Sequence, residues 1–246
     1  MKILKEIFGR LLALWGLLLF ICTMILFMIP FLIFSYFKPD PIKTIRFVKY
    51  SRLWMNTFYF LVGCSLKIKG REQFKNGETY IVVCNHNSIF DVLIASPGIP
   101  GGNKTIGKIE MAKIPMFSLL YKTGAVLVDR KSERSRRESF IQMKAVLDMG
   151  LHMCIYPEGT RNRTGEPLKS FHNGAFKLAI DSGKAIIPAV IFNTKDTMPP
   201  NKPFFLWPQK MAMHFLQPIT AGPTEDMDGL KKRVFETMWA YFEGGQ

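Results

Sequence analysis

His86 and Asp91, in the run Asn85-His86-Asn87-Ser88-Ile89-Phe90-Asp91, are an imidazole and a carboxylate spaced so that they can work as a pair. An imidazole changes charge near neutral pH, so it can take a proton from a hydroxyl when its other ring nitrogen is held. On one continuous helix, residues five apart point about 140° away from each other and cannot meet. If a helix begins at Ser88, however, His86 lies in the preceding loop and can fold back over the first turn. Asp91 then accepts from one ring nitrogen, fixes the tautomer and stabilises the imidazolium. The same spacing also serves a plainer purpose, because Ser88-x-x-Asp91 matches a capping box that satisfies a helix N-terminus. Both readings stay open on this stretch alone.

A second stretch, Tyr156-Pro157-Glu158-Gly159-Thr160-Arg161, carries chemistry of another kind. Gly159 permits a tight turn, Thr160 offers a hydroxyl and a backbone donor, and Arg161 brings a planar fork suited to phosphate. A surface turn with solvated charges is the plainer alternative.

Both stretches hang from strand-like runs. Tyr80, Ile81, Val82 and Val83 form an unbroken β-branched and aromatic run, as in a buried strand, and Met153–Tyr156 is a second such run. The carboxyl end of a strand, before a helix, is where open α/β sheets bind their ligands.

Taken together, Asn-His-x-x-x-x-Asp at 85–91 and Pro-Glu-Gly-Thr-Arg at 157–161 resemble the signature of the glycerolipid acyltransferases. Two further blocks match in order, Gly124-Ala-Val-Leu-Val-Asp-Arg130 and Ile187-Pro-Ala-Val190, so the resemblance covers about Ile68 to Phe215. It is strongest to the bacterial enzymes that acylate 1-acylglycerol-3-phosphate, or lysophosphatidic acid. The resemblance implies catalysis by His86 with Asp91. It implies substrate binding by Lys108, Arg130, Glu158, Gly159, Thr160 and Arg161, with no metal. It further implies acyl-CoA or acyl carrier protein as co-substrate and an N-terminal helical pair at the membrane. One departure stands out: the family usually has a basic residue directly before the glycine where this chain has Phe171-His172-Asn173-Gly174, and Lys169 lies out of register.

The chain of 246 residues is long enough for one α/β domain with an appendage. Its net charge of +14 favours anionic partners: acidic headgroups, phosphorylated substrates or nucleic acid. Dispersed basic residues and no recognised helix-turn-helix or zinc-finger pattern leave a membrane-anchored nucleic-acid binder as the alternative of another class, and no nucleic acid is expected. Cys22, Cys64, Cys84 and Cys154 are scattered without metal-ligand spacing and read as reduced, buried thiols.

No charged residue occurs from Leu11 to Phe37, a length sufficient to cross a bilayer. Pro30 is expected to kink or end that helix. Lys2, Lys5 and Arg10 precede the segment, while Lys38, Lys43, Arg46 and Lys49 follow it. Positive charge on both flanks is explained if both ends stay on the cytoplasmic side and the segment dips into one leaflet. After the break at Pro39-Asp40-Pro41, Thr44–Gly63 drawn as a helix puts Phe47, Trp54, Phe58 and Leu61 on one stripe opposite Arg46, Lys49 and Arg52. That pattern suits contact with a membrane surface.

The remainder alternates. Leu66–Lys69, Ala125–Val128, Ile186–Phe192 and Met211–Leu216 read as strands. Pro97–Gly102 reads as a loop, and Ile114–Tyr121 as a short helix opened by Pro115. Ser135-x-x-Glu138 is expected to open a helix that Gly150 closes, while Asn173–Gly183 and Leu230–Phe242 read as helices. The basic run Arg130, Lys131, Arg134, Arg136 and Arg137 is either a solvated helix N-terminus or a dock for acyl carrier protein or coenzyme A phosphates. His152 and His214 read as structural.

The fold class expected is α/β, a mixed, largely parallel sheet flanked by helices, with an N-terminal two-helix membrane-associated motif. Residues 1–64 form the helical pair and 65–246 the α/β domain. The expected activity is transfer of an acyl group from a thioester to the sn-2 hydroxyl of 1-acylglycerol-3-phosphate, giving phosphatidic acid on the cytoplasmic face of the membrane. Glycerol-3-phosphate or another lysolipid is the alternative acceptor. No covalent acyl-enzyme is required, since no Gly-x-Ser-x-Gly elbow is present.

Overall fold

The computed structural model describes residues 2–114 and 117–244. The expectation for Pro115 at a helix start lies outside the described residues.

Seven strands form one sheet in the order β1-β7-β6-β2-β5-β3-β4. They are β1 (Ser65–Lys69), β2 (Ile81–Cys84), β3 (Asn103–Lys108), β4 (Ala125–Val128), β5 (His152–Ile155), β6 (Ile186–Phe192) and β7 (Lys210–Phe215). Strands β6, β2, β5, β3 and β4 run parallel, with Val82 beside both Cys154 and Ile187. Strand β7 turns antiparallel to β6, and β1 runs with β7. Side chains of β2 alternate between two cores, as a strand buried on both faces requires. Val82 and Cys84 enter one core, Ile81 and Val83 the other.

Helices α5 (Glu133–Asp148), α6 (Gly174–Ser182) and α8 (Met227–Glu243) cover the Ile81–Val83 face. Helices α1 (Lys2–Phe34), α2 (Ile42–Leu61) and α3 (Phe90–Gly98), with α4 (Phe117–Gly124), cover the other. A single turn, α7 (Thr194–Thr197), follows β6. The mixed, largely parallel α/β sandwich is the architecture expected. The N-terminal pair packs onto the sheet, Trp54, Met55, Phe58 and Tyr59 sharing one core with Val82, Cys84 and Phe90.

Several local expectations need correction. Helix α1 does not end at Pro30 but runs on to Phe34, with Phe31 buried against Phe47 and Tyr50. Helix α3 continues through Pro97 to Gly98, where a loop was expected. Helix α5 is capped by Ser132, whose side chain accepts from the Ser135 N–H, so the helix begins before Ser135.

The largest correction concerns α2. Its aromatic stripe faces protein and not lipid. Trp54 packs on Phe20 and donates to the Thr23 hydroxyl at 2.9 Å, and Phe58 stacks on Phe90 at 6.2 Å. Arg52 likewise turns inward and donates to the Pro97 and Ile99 carbonyls at 2.8 and 2.9 Å. The outward face instead carries Leu53 and Phe60. Helix α1 buries a narrow stripe, Gly9, Ala13, Gly16, Thr23, Met24 and Phe31, along most of its length. The rest of its circumference, including Phe8, Leu11, Leu14, Leu18 and Leu26, is exposed and apolar, the condition of a helix seated in lipid.

Phe58→Ala is therefore expected to cost about 3–5 kcal/mol, the usual loss for a buried aromatic. Phe60→Ala, which removes a ring 81% exposed, should leave the thermal unfolding midpoint in detergent unchanged. A lipid-facing stripe at Phe58 would reverse that order.

Candidate active site

The carboxyl ends of the five parallel strands lie along one edge of the sheet. Each candidate residue hangs there: His86 after β2, Glu158–Arg161 after β5, Lys108 closing β3 and Arg130 after β4. The β2 end is made rigid by Asn85, which is buried, donates to the Ile191 carbonyl at 2.9 Å and accepts from its N–H at 2.7 Å.

His86 is in the loop and α3 begins only at Phe90, so the two side chains meet, with Nδ1 3.0 Å from Asp91 Oδ2. Asp91 is fully buried. Its Oδ2 also accepts from the Asn87 and Ser88 N–H groups at 2.6 and 2.7 Å, and its Oδ1 accepts from the Thr194 hydroxyl. The carboxylate thus binds the loop that leads into α3 and the imidazole at once. An ionised carboxylate only accepts, so Nδ1 carries the proton and Nε2 is left as the acceptor. Tyr156 packs against the His86 ring in a tilted pair, centroids 4.6 Å apart, and its hydroxyl donates to the Asp91 carbonyl at 3.1 Å. Burial pushes that phenol well above its usual range, so it stays neutral.

Glu158, expected at the substrate, turns its carboxyl into the protein. It is fully buried, Oε1 accepting from the His86 N–H at 2.7 Å and Oε2 from the Lys169 N–H at 3.2 Å. Asn162 donates its N–H to the His86 carbonyl at 2.6 Å, so the loop after β5 grips the His86 backbone on both sides. Burial raises the Glu158 carboxyl to about 7, opposed by those two N–H groups.

Gly159 has φ +70, a conformation that favours glycine, and its carbonyl accepts from the Arg130 guanidinium. Arg130 is thereby brought onto the turn. Lys169, out of register in sequence, nevertheless reaches it, its Nζ lying 2.6 Å from the Thr160 hydroxyl oxygen. Arg161 is half-buried and has no ion-pair partner among the described residues. Lys108 stands apart, exposed at the end of β3, beyond β5 and without a hydrogen bond to either loop among the described residues. Cys84, close to His86 in sequence, is fully buried, and the contact with Cys154 at 3.8 Å together with burial pushes its thiol well up, which disfavours the thiolate. No cluster of His, Cys, Asp or Glu among the described residues is placed to hold a metal.

The sequence reading missed Thr194, Tyr156, Asn162 and the reach of Lys169. Only Tyr156 left a signal, its place at a strand end beside the second motif.

A family model described as acyltransferase matches residues 65–192, just over half of the chain. The 1-acyl-sn-glycerol-3-phosphate acyltransferase of Haemophilus influenzae is 29% identical over 177 residues, covering 70% of this chain and 72% of that protein. The human protein named 1-acyl-sn-glycerol-3-phosphate acyltransferase alpha is 28% identical over 204 residues, covering 81% of this chain and 71% of that one. The fold is also that of the crystal structure of the 1-acyl-sn-glycerophosphate (LPA) acyltransferase PlsC from Thermotoga maritima. The TM-score is 0.83 over 97% of this chain and 96% of that chain, at 22% identity.

The raised Glu158 carboxyl has a consequence for stability. A carboxyl that binds its proton more tightly folded than unfolded favours the folded state below pH ~4.5, and that contribution is lost as pH rises through about 7. Across that window the unfolding free energy of the wild type should fall relative to that of Glu158→Gln. Parallel pH profiles would mean that the carboxyl is not raised.

Proposed function

The chain belongs to the acyltransferase family, and from that premise we propose that it moves a fatty acyl group from a thioester to the free hydroxyl of 1-acylglycerol-3-phosphate. The observation that carries the mechanism is the 3.0 Å contact of His86 Nδ1 with a buried, fully engaged Asp91 carboxylate. With Nδ1–H held, Nε2 takes the proton of the acceptor hydroxyl as its oxygen attacks the thioester carbonyl. The tetrahedral intermediate collapses, the carbon–sulfur bond breaks, and the departing thiolate receives the proton from Nε2. Asp91 balances the imidazolium in between. The buried state of Cys84 agrees with direct transfer and no acyl-enzyme.

General-base action contributes about 10²–10⁴-fold, so positioning must supply the remainder. Arg161, Lys169 and Arg130 surround the turn after β5, and the residue following Arg161 is bonded to the His86 carbonyl. A phosphate held by this turn lies next to the base. Lys108 guards the rim. Acyl-CoA or acyl carrier protein brings the thioester, and no further cofactor is needed.

The acceptor is an amphiphile, and the exposed apolar surface of α1 supports a site that draws it from a membrane. Helix α1 is docked on the body from Gly9, whose carbonyl accepts from Leu206 N–H at 3.0 Å, to Phe31. It therefore seats in one leaflet and does not cross. The unlinked cysteines fit a site on the cytoplasmic face.

Release of free thiol from acyl-CoA, measured with and without 1-acylglycerol-3-phosphate, tests the activity, and release that ignores the acceptor counts against it. Glycerol-3-phosphate and other lysolipids in the same assay fix the acceptor. His86→Ala should lower kcat by about 10²–10⁴-fold in a folded, membrane-bound protein. Near-normal turnover would remove His86 as the base. Arg161→Ala should raise KM for the acceptor by roughly 10–100-fold, the loss of a charged hydrogen bond. An unchanged KM would separate Arg161 from the phosphate.

A further inference from the structure

We infer that Thr194 is a positioning residue for the His86–Asp91 pair, acting through the second oxygen of the carboxylate. The inference rests on the reading of His86 as the base. Oδ2 of Asp91 takes all its partners from its own loop, His86, Asn87 and Ser88. Oδ1 has one hydrogen-bond partner among the described residues, the Thr194 hydroxyl, from far along the chain.

Thr194 is 1% exposed and sits on the single turn that follows β6. The same segment offers the Met198 carbonyl, which accepts from the Ser88 hydroxyl at 2.8 Å. One short piece of chain therefore holds both the carboxylate and Ser88, two residues before α3. A carboxylate bonded through one oxygen alone can rotate and exchange the oxygen that faces His86. A hydroxyl on Oδ1 blocks that exchange, and the branched Cβ of threonine restricts its own rotamers. It also supplies a donor to an oxygen buried from bulk solvent.

The other ionisable groups around the pair approach from elsewhere. Tyr156 lies over the His86 ring, Glu158 binds the His86 N–H, and Cys84 and Cys154 lie in the strands beneath. None of these donates to Oδ1. Among the described residues Thr194 is the one donor on that side.

Thr194→Val keeps the shape and removes the donor, whereas Thr194→Ser keeps the donor. The full chain in phospholipid vesicles is assayed with 1-acylglycerol-3-phosphate as acceptor, and kcat and the acceptor KM are determined separately. The downfield proton resonance of His86 Nδ1–H is followed in parallel, assigned by its disappearance in His86→Ala. We expect Thr194→Val to lower kcat about tenfold or more with KM unchanged, and to shift or broaden the resonance, while Thr194→Ser retains both. Thr194→Ala serves the same comparison where the valine variant does not fold. A Thr194→Val protein with unaltered resonance overturns the inference. So does a folded Thr194→Ser protein as impaired as the valine variant, since bulk and not the hydroxyl would then matter. A moved resonance with unchanged kcat upholds the clamp and removes His86 from catalysis instead.

Discussion

A single buried carboxylate carries the local architecture. Asp91 binds two N–H groups of the loop before α3, meets the His86 ring and receives a hydroxyl from the β6 side. A charge in a dry interior is tolerated only when it is bonded on every side, and the donors here come from three N–H groups and one hydroxyl. Satisfying the ion and aiming the imidazole are consequently one event. The loop cannot take another shape without stranding the charge, so the ring has one orientation.

The second loop reaches the same imidazole from behind. Glu158 and Asn162 grip the N–H and carbonyl of His86, while Arg130 and Lys169 fasten the turn between them. Anything bound at this turn shares a frame with His86. Holding His86 by its backbone leaves Nε2 without a hydrogen-bond partner among the described residues, which a side-chain clamp on that nitrogen would not.

What was legible in the sequence was what depends on neighbours in the chain. The runs 80–83 and 153–156 gave their strands because β-branched and apolar residues buried on two faces leave no alternation to misread. The five-residue spacing of His86 and Asp91 required a loop before a helix on geometric grounds alone. What stayed hidden depends on distant partners. Glu158 meets His86 across 72 positions and Thr194 meets Asp91 across 103, and neither leaves a local pattern. Lys169 was out of register only on a linear count, since a loop can bring a long side chain back. The stripe of α2 was real, but an amphipathic pattern says that a face is buried and not what buries it. Trp54 and Phe58 are covered by α1 and α3, and the lipid-like surface passed outward to α1.

That transfer bears on how two unlike substrate parts reach one site. The segment after α7 begins at Met198, bonded to Ser88, and runs to Leu206, whose N–H donates to the Gly9 carbonyl at 3.0 Å. Along it Lys202 pairs with Glu6. The amino-terminal end of α1 is thus tied to the sheet edge that carries the dyad, and Lys2, Lys5 and Arg10 lie at that same end. Gly9 itself admits no side chain, because a Cβ there would run into the Phe205 ring. Under the proposed function, the apolar surface of α1, the positive charge at its amino-terminal end and the His86 ring are linked through this one segment of chain, so an amphiphile entering from a bilayer would not have to leave it completely to be acylated.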